Sequence, residues 1–463
     1  MNTLPVILSL LGAMACFFFA LESFREKEFR ASYIGFIGGI IFVMIWMVIF
    51  LIPLTQPCAK GLFFFIGAAG LYLLIPTPSN PNALKGSSGH LVSDPVRFDE
   101  RDTVFARNRS LPPGSEVYKQ YYGAHPDKES ADAERRKKGG PVGRIGVIDN
   151  EHPTNVAMID ACFQIPPIFG LHADALPIPE TPNRRLNPKT ATAIVKGFSR
   201  YLGADLVGIC RVNPDWAYSH RGEIFYNNWE DWGKEIETPL PFAVVIATEM
   251  SKEFVGAGPH TPALLESSKN YAKGAFIATI LSRWFSDMGY RALAQHSRRY
   301  DLNLVPLAID AGLGELGRFG YLISPRFGPR VRLFAVTTDM PLSPDLPIDL
   351  GVDEFCRHCL KCAEVCPSKS IPFGDKTVCN GALKWKLNET SCFDYWGKVG
   401  TDCSVCMGIC PFSRPDRFIH RLARRIIRRS KTARLFFPKI DNLIYGKKWK
   451  VNPVPEWVDY QGS

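Results

Sequence analysis

The first 89 residues contain no histidine, because all nine histidines of the 463-residue chain lie at or beyond His90. This part of the chain therefore offers no imidazole to a haem iron. No G-x-G-x-x-G stands between a predicted strand and a helix, the setting that dinucleotide-binding folds require; the glycine-rich GLGELG at 312–317 is not in that setting. These absences argue against a haem path through the N-terminal part and against a nicotinamide or flavin fold of that type.

Charge is absent from three long apolar runs, at residues 3–21, 33–51 and 61–75. A bilayer core of ~30 Å takes about 20 helical residues, so the first two runs predict transmembrane helices. The third run is shorter and is compatible with a third span or with a re-entrant segment. We therefore predict an all-α membrane anchor of about three transmembrane helices over residues 1–76.

The loops of this anchor predict its orientation. No Lys or Arg precedes Glu22, whereas the first loop holds Arg25, Lys27 and Arg30 and the second only Lys60. The positive-inside rule puts the first loop in the cytoplasm, and with three spans the rest of the chain lies at the cytoplasmic face of the inner membrane. If the third run does not cross, the rest faces outward. We expect no cleavable or twin-arginine signal, since no basic stretch precedes the first run.

The whole chain has 46% hydrophobic residues and a formal charge of +10. Its part after residue 76 divides by composition. We predict a linker and N-terminal extension (77–141), a mixed α/β body (142–345), a cysteine-rich domain (346–416) and a basic tail (417–463). Within the body, 242–250 and 331–342 have the character of strands. Residues 261–290 repeat apolar positions at helical spacing and end at Gly289, which predicts a helix.

Eight of the 13 cysteines are expected to bind iron. The run CRHCLKCAEVCP (356–367) has the C-x2-C-x2-C-x3-C-P spacing of bacterial ferredoxins, and CSVCMGICP (403–411) is a shortened second copy. In such pairs the fourth cysteine of a run ligates the other 4Fe–4S cluster. This predicts one cluster on Cys356, Cys359, Cys362 and Cys410, and another on Cys366, Cys403, Cys406 and one further thiolate. Cys392 and Cys379 compete for that place, and Cys392 is favoured because it is nearer to the second run.

Other uses of these cysteines fit less well. Disulfides do not suit a cytoplasmic face, and tetrahedral zinc sites rarely use four cysteines at this spacing. Two clusters move single electrons, so a further redox centre is expected in the α/β body.

The chain resembles the corrinoid- and iron–sulfur-dependent reductive dehalogenases from about Phe98 to Pro415. The resemblance rests on FDERDTVFARNRSLPPGSEVYKQYY, SSKNYAKGAFIATILSRWFSDMGYRALAQ, AGLGELGRFGYLISPRFGPRVRLFAVTTDMPL and the two cysteine runs. It implies an α/β (α+β), nitroreductase-like core that binds base-off cobalamin, with a C-terminal two-cluster ferredoxin domain that feeds it electrons. The absence of D-x-H-x-x-G agrees with a cobalt that takes no histidine from the protein. Members that are exported carry a twin-arginine signal, which this chain lacks.

The resemblance also implies the catalytic residues. It places a proton donor at Tyr271 and a cation at Arg330, although Arg326 and Arg332 lie close by in the sequence. A phenol is a weak acid near neutral pH, and a guanidinium beside it favours the phenolate and so eases loss of the proton. The segments expected to contact the corrinoid contain Gln295, His296, Gly312, Gly314, Arg318, Tyr321, Ser324 and Gly328.

The tail carries a basic amphipathic pattern, RPDRFIHRLARRIIRRSKTAR at 414–434. Such a helix is typical of binding to an anionic membrane surface; an acidic electron-donor protein and a solvated helix are the alternatives. Nucleic acid is not expected, because the positive charge is concentrated in the tail.

The function expected is therefore replacement of a halogen of a small organohalide by hydrogen, in a membrane-anchored enzyme that receives electrons from a quinol or a ferredoxin-like protein. Two other functions compete: a corrinoid and iron–sulfur reductase of the epoxyqueuosine reductase type, and a membrane-bound electron-transfer protein that carries clusters only. The sequence is also compatible with a homo-oligomer.

Overall fold

The computed structural model describes residues 3–51, 56–138, 153–170, 186–223, 231–297 and 299–458. The predicted start of the α/β body at residue 142 lies outside these ranges. The helices are α1 (Thr3–Arg25), α2 (Phe29–Leu51), α3 (Gln56–Leu73), α4 (Pro81–Leu84), α5 (Val104–Arg109), α6 (Glu116–Ala124), α7 (Pro126–Lys138), α8 (Pro153–Gly170), α9 (Pro188–Tyr201), α10 (Lys252–Val255), α11 (Thr261–Asp287), α12 (Leu304–Asp310), α13 (Val352–Cys359), α14 (Lys361–Val365), α15 (Glu389–Val399), α16 (Val405–Ile409), α17 (Phe418–Arg429) and α18 (Lys431–Tyr445).

A four-stranded antiparallel sheet forms the centre of the body. The strands are β1 (Leu206–Arg211), β2 (Phe242–Glu249), β3 (Ala292–Gln295), β4 (Glu315–Leu316), β5 (Leu322–Ile323), β6 (Val331–Thr338), β7 (Thr377–Cys379) and β8 (Ala382–Lys384). The order in the main sheet is β1-β2-β6-β3, while β4-β5 and β7-β8 form two small hairpins. The central strand β2 reads FAVVIATE and is buried at all but its last position, because apolar side chains cover both faces of the sheet.

The two faces of the sheet follow the alternation of side chains along each strand. On β6, Phe334 and Val336 face a core shared with α9 and α11, whereas Val331 and Ala335 face a second core shared with α12. The body is therefore a layered α/β structure with helices on both faces of one sheet. The mixed helix and sheet content predicted for this part is confirmed.

The helix predicted over 261–290 is α11, which runs from Thr261 to Asp287. Pro262 in the first turn suits a helix start, and Gly289 after the end has φ +83°, a left-handed conformation that glycine adopts without strain. Gly274 lets α11 approach β6 closely, because a β-carbon there would collide with the ring of Phe334.

The cysteine-rich segment is built from short elements. Cys356 and Cys359 lie on α13, Cys362 lies on α14, and Cys410 directly follows α16. Helices α14 and α16 pack against each other, and Cys403 and Ser404 before α16 have left-handed backbone angles, φ +63° and +53°. The two-cluster ferredoxin domain stays a prediction.

The apolar runs at the N-terminus coincide with α1, α2 and α3. Among the residues that the structure describes, one helix is long and apolar enough to cross a membrane: Phe29–Val48 within α2, with a mean hydropathy of 2.1. It packs against α1, where Gly35 allows close contact with Phe19 and Ala20. The three-span anchor and its orientation stay predictions.

The chain divides into two units. One contains Met1–Ser79, Glu354–Cys359 and Pro415–Lys448; the other contains Asn80–Asp353, Leu360–Arg414 and Trp449–Ser463. The predicted anchor and most of the predicted basic tail thus belong to one unit, and the sheet belongs to the other.

Candidate active site

Four of the predicted cluster cysteines line one cavity. Cys366, Cys392, Cys403 and Cys406 surround a space of about 40 Å³ within the unit that contains the sheet. Cys366 directly follows α14, Cys392 lies on α15, and the other two flank the start of α16. The structure therefore places Cys392 on this cavity, whereas Cys379 on β7 is not among its lining residues.

These thiols are held in an apolar setting and close to one another. Burial raises the pKa of Cys392 and of Cys403 to about 12, and that of Cys406 well above its ordinary value. The neighbouring cysteines add to each increase, since three negative charges in one small space repel one another. Such thiols need a cation to become thiolates, which is the state in which cysteine binds metals.

The arrangement fits a metal cluster better than a single ion. Among the described residues, no three His, Cys, Asp or Glu side chains converge as ligands of one metal ion. The four irons of a 4Fe–4S cluster lie at alternate corners of a cube and each binds one thiolate, so the ligands surround a volume. Four cysteines around one cavity are the donor set that such a cluster needs.

Tyr271, the predicted proton donor, lies on the face of α11 that packs on the sheet. Its ring stands perpendicular to that of Phe334, with 6.4 Å between ring centres, and lies 6.0 Å from that of Phe163. The guanidinium carbon of Arg332 lies 5.0 Å from the centre of the Tyr271 ring, within cation–π distance. The ring keeps some accessible surface.

Arg332 is fixed by two further groups. Its Nη2 donates to Ser267 Oγ at 2.6 Å and to Asp402 Oδ2 at 2.7 Å. Ser267 and Tyr271 lie one helical turn apart on α11 and therefore flank the same arginine. Burial lowers the pKa of Arg332, but Tyr271, Asp402 and Tyr321 raise it by more, so the guanidinium stays charged.

None of the described contacts of Arg330, the predicted cation, is with Tyr271. Arg330 is 1% exposed; its Nε donates to Ser413 O at 3.0 Å, and its Nη1 binds Glu249 Oε1 at 3.0 Å and Met250 O. The reason for the difference is the start of β6 at Val331. Arg330 precedes the strand, whereas Arg332 lies within it and shares the α11 face with Phe334.

Two tyrosines stand near the same arginine. Burial raises the pKa of Tyr300 and of Tyr321 well above its ordinary value; Tyr271 adds to the first increase, and Cys392 and Cys406 add to the second. Both side chains keep some accessible surface. Tyr321 and Arg332 also line the cysteine cavity, so that cavity borders the surroundings of Tyr271.

The other residues predicted to contact a corrinoid make internal contacts. Gln295 Oε1 accepts from Asp301 N at 2.7 Å, and Ser324 Oγ donates to Gly328 O at 3.0 Å. Buried His296 pairs with Arg299 through the backbone. Arg318 donates to three successive carbonyls, those of Pro372, Phe373 and Gly374, and its guanidinium carbon lies 4.3 Å from the centre of the Trp385 ring.

The predicted glycines have packing roles. Gly312 and Gly328 have φ +71° and +59°, and a β-carbon at either would meet a backbone carbonyl, of Leu346 or Phe412. At Gly314 a β-carbon would meet Ile323 O. Of the eight predicted contacts, Tyr321 is the one that lines the cavity.

Sequence reasoning missed Ser267 and Asp402 and named Arg332 only as a neighbour of Arg330. The alternation of Arg332, Phe334 and Val336 along β6 was a signal for Arg332. Nothing local pointed to Asp402, which lies 70 residues further along the chain.

Comparison with known proteins gives a consistent picture. No family model matches the chain. The tetrachloroethene reductive dehalogenase of Sulfurospirillum multivorans is 35% identical over 266 residues, which is 50% of this chain and 52% of that enzyme. The epoxyqueuosine reductase of Lactococcus garvieae is 26% identical over 133 residues, 28% of this chain and 36% of its own.

Among solved structures, the catabolic reductive dehalogenase NpRdhA aligns with a TM-score of 0.62 at 26% identity, over 82% of this chain and 51% of that one. The same enzyme has been solved in complex with 3-bromo-4-hydroxybenzoic acid. The chain spans about half the length of each of these dehalogenases. By sequence over half of its length and by fold over most of it, the chain is similar to reductive dehalogenases.

Proposed function

We propose that the chain is a membrane-anchored reductive dehalogenase that uses a corrinoid and two 4Fe–4S clusters to replace a halogen by hydrogen. The reaction balances as R–X + 2e⁻ + H⁺ → R–H + X⁻. The observation that carries the proposal is the position of Tyr271 under Arg332, beside a cavity lined by four cysteines. One arrangement thus joins a proton source, a fixed cation and a donor set for an electron carrier.

We infer the ligands of the two clusters from the spacing of the cysteines in the sequence. For one cluster, the cavity that its four cysteines line adds support. Cys366, Cys392, Cys403 and Cys406 would hold one cluster, since they line one cavity. Cys356, Cys359, Cys362 and Cys410 would hold the other, on their ferredoxin spacing alone.

For the corrinoid, we infer a site at Tyr271, Tyr300, Tyr321 and Arg332, which lie near one another. Arg332 Nε and Ser297 Oγ are buried polar atoms without a partner in the described structure, and corrinoid amide arms are suitable partners for such atoms. A bound corrinoid would supply the strongly reducing cobalt centre that cleavage of a carbon–halogen bond needs.

Tyr271 would hold the proton that the product receives. Its hydroxyl is the acid, and the Arg332 guanidinium stabilises the negative charge left on the phenol after the proton leaves. Because Arg332 keeps its charge throughout, it can do this in a site that excludes water. We assign the cation role to Arg332 and not to Arg330, because Arg332 lies over the ring of Tyr271.

Asp402 and Ser267 would hold Arg332 in place. An arginine with free rotamers would need to be ordered at each turnover, whereas one bound at both Ser267 Oγ and Asp402 Oδ2 is ordered in advance. The Asp402 carboxylate also balances the buried charge of the guanidinium.

A small organohalide is the substrate class that fits these groups, and the halogenated ligand of NpRdhA supports it. The apolar helix Phe29–Val48 supports attachment to a membrane. An inner-membrane position with several spans and a cytoplasmic catalytic unit rests on the basic first loop.

The test is halide release by the full-length chain. The protein is expressed with ample cobalamin, purified in detergent, reduced with methyl viologen radical and offered tetrachloroethene and 3-bromo-4-hydroxybenzoic acid in D2O. We expect chloride or bromide by ion chromatography and one deuterium in each product. Fully loaded protein that releases no halide from a broad chlorinated and brominated panel would contradict the proposal and leave an electron-transfer protein.

A further inference from the structure

Helices α17 and α18 carry a run of positive charge. Between residues 417 and 440 there are nine Lys and Arg residues and no Asp or Glu. Both helices belong to the unit that contains α1 and α2.

On α17 one side is buried and the other is exposed. His420 and Ile427 face inward, whereas Phe418 and Leu422 are 63% and 44% exposed. At 100° per residue, these two apolar side chains lie on the same arc as the exposed arginines Arg421, Arg425, Arg428 and Arg429. The helix therefore presents apolar groups and arginines to the same side.

The next helix, α18, continues this pattern. Its exposed apolar side chains are Leu435, Phe436, Ile440 and Leu443. Lys439 lies among them, with its Nζ 5.6 Å from the centre of the Phe436 ring. A long cationic side chain laid over an apolar group is typical of residues at the boundary between apolar and aqueous surroundings. We name the exposed side chains of α17 and α18 the tail surface.

The tail surface lies at the loop end of the α1–α2 hairpin. Arg417 Nη1 binds Glu22 Oε2 at 2.8 Å, His420 Nε2 lies 2.9 Å from Glu26 Oε2, and Arg30 Nη2 donates to Leu443 O at 3.1 Å. The same loop end of the hairpin exposes three aromatic side chains, Phe24, Phe29 and Tyr33. Aromatic side chains of this kind are enriched at membrane–water boundaries.

The charges divide into two groups. Arg424 and Arg434 are turned to the protein, where they pair with Asp416 and Glu354 at 3.1 Å each. Among the described residues, Arg425, Arg428, Arg429 and Lys439 form no ion pair with an acidic side chain. Their charge is therefore available to an anion outside the chain.

We propose that the tail surface binds anionic phospholipids in the membrane leaflet that the α1–α2 loop reaches. Phe418, Leu422 and the apolar residues of α18 enter the boundary between headgroups and acyl chains, and the unpaired arginines bind lipid phosphates. Lipid is favoured over free phosphate because the cations are interleaved with exposed apolar groups. The inference rests on insertion of α2 into a membrane and is independent of dehalogenation.

Hydrogen–deuterium exchange of the full-length chain in nanodiscs tests this. The chain is placed in discs of phosphatidylcholine alone and in discs that contain about 30% phosphatidylglycerol, and exchange is followed over residues 418–445. We expect at least about fivefold slower exchange in the anionic discs, and loss of that difference when NaCl rises from about 0.1 to 0.5 M. Inorganic phosphate added to the neutral discs should leave exchange unchanged.

Two variants give the matched comparison. Replacing Arg425, Arg428 and Arg429 with Gln should abolish the difference between the discs, whereas replacing the exposed Lys119, Lys137 and Lys189 with Gln should preserve it. Equal exchange of the native chain in both discs, or equal protection by free phosphate, would overturn the proposal. Protection that appears only with an acidic protein would overturn it too. The comparison on the native chain decides the matter even if a variant fails to fold.

Discussion

Arg332 and Asp402 form an ion pair, with 2.7 Å between Nη2 and Oδ2, and Asp402 directly precedes Cys403 of the cysteine cavity. The arginine that lies over Tyr271 is thus bound to the loop that would hold a cluster. In the proposed mechanism, electron delivery and proton delivery would therefore share a structural support.

Replacing Tyr271 with Phe removes the acid and keeps the ring. We expect halide release to fall about a hundredfold or more, because general-acid groups contribute about that much. Iron content and the melting temperature should not change. Tyr201→Phe, at a tyrosine that is 86% exposed, is the control. Equal losses in the two variants would remove the proton-donor role from Tyr271.

Substitutions of Arg332 and Arg330 should have different effects on kcat. Arg332→Gln should lower kcat per folded molecule about a hundredfold, because the phenolate loses its cation. It should also lower the free energy of unfolding, since it leaves the buried Asp402 carboxylate without its ion pair. Arg330→Gln should lower the free energy of unfolding by about 3 kcal/mol, since it removes a buried guanidinium that pairs with Glu249 and donates to two buried carbonyls. It should spare kcat per folded molecule. Steady-state kinetics and thermal unfolding of both variants separate these effects. The opposite pattern would restore the role first predicted for Arg330.

Asp402→Asn keeps the shape of the side chain and removes its charge. We expect kcat to fall about tenfold with little change in KM, because Arg332 loses its main anchor and not a contact with substrate. Iron per chain serves as the control. A loss of iron that parallels the loss of activity would show that Asp402 supports the cluster loop and not the arginine.

Cys392→Ser and Cys379→Ser form a matched pair. The first should lose about four irons per chain, since a four-iron cluster needs its fourth thiolate, and the second should retain all of them. Iron analysis of the two proteins, purified without oxygen, distinguishes them. Full iron in Cys392→Ser with loss in Cys379→Ser would reverse the assignment.

The stability of the fold should depend on pH through the buried carboxyl group of Glu100. Burial, reinforced by Glu223, raises the pKa of Glu100 to about 8, while its Oε2 accepts from Gly222 N and Glu223 N. The folded state binds this proton more tightly than the unfolded state does. The contribution of Glu100 to stability is therefore fully present below about pH 4.5. It falls, by about 1 kcal/mol per pH unit, as the pH rises towards 8.

Melting temperatures of the detergent-solubilised chain at pH 6 and pH 8 test this. Between pH 6 and pH 8 the melting temperature of the native chain should fall more than that of Glu100→Gln, because the amide has no proton to lose. An equal loss in both proteins would mean that Glu100 is not the group responsible.

Local patterns in the sequence were enough for some elements and not for others. The helical spacing over 261–290 and the apolar run at 242–250 predicted α11 and β2. Each of these patterns lies within one continuous segment of the sequence, so no knowledge of tertiary packing was needed. Cys392 could only be favoured over Cys379, since the choice depends on how α15 packs.

The pairing of Arg332 with Tyr271 depends on the residue at which β6 begins, and its bond to Asp402 joins residues far apart in sequence. Gly312 and Gly328 illustrate a different difficulty. A glycine pattern does not say whether the missing β-carbon makes room for a ligand or for the protein's own backbone, and here the backbone of the chain fills both positions.

The most direct test of the account is the cobalt and iron content of the full-length chain, expressed with ample cobalamin and purified in detergent without oxygen. We expect about one cobalt and about eight irons per chain, the latter from two four-iron clusters. About eight irons with no cobalt would contradict the account and would remove the roles given to Tyr271 and Arg332.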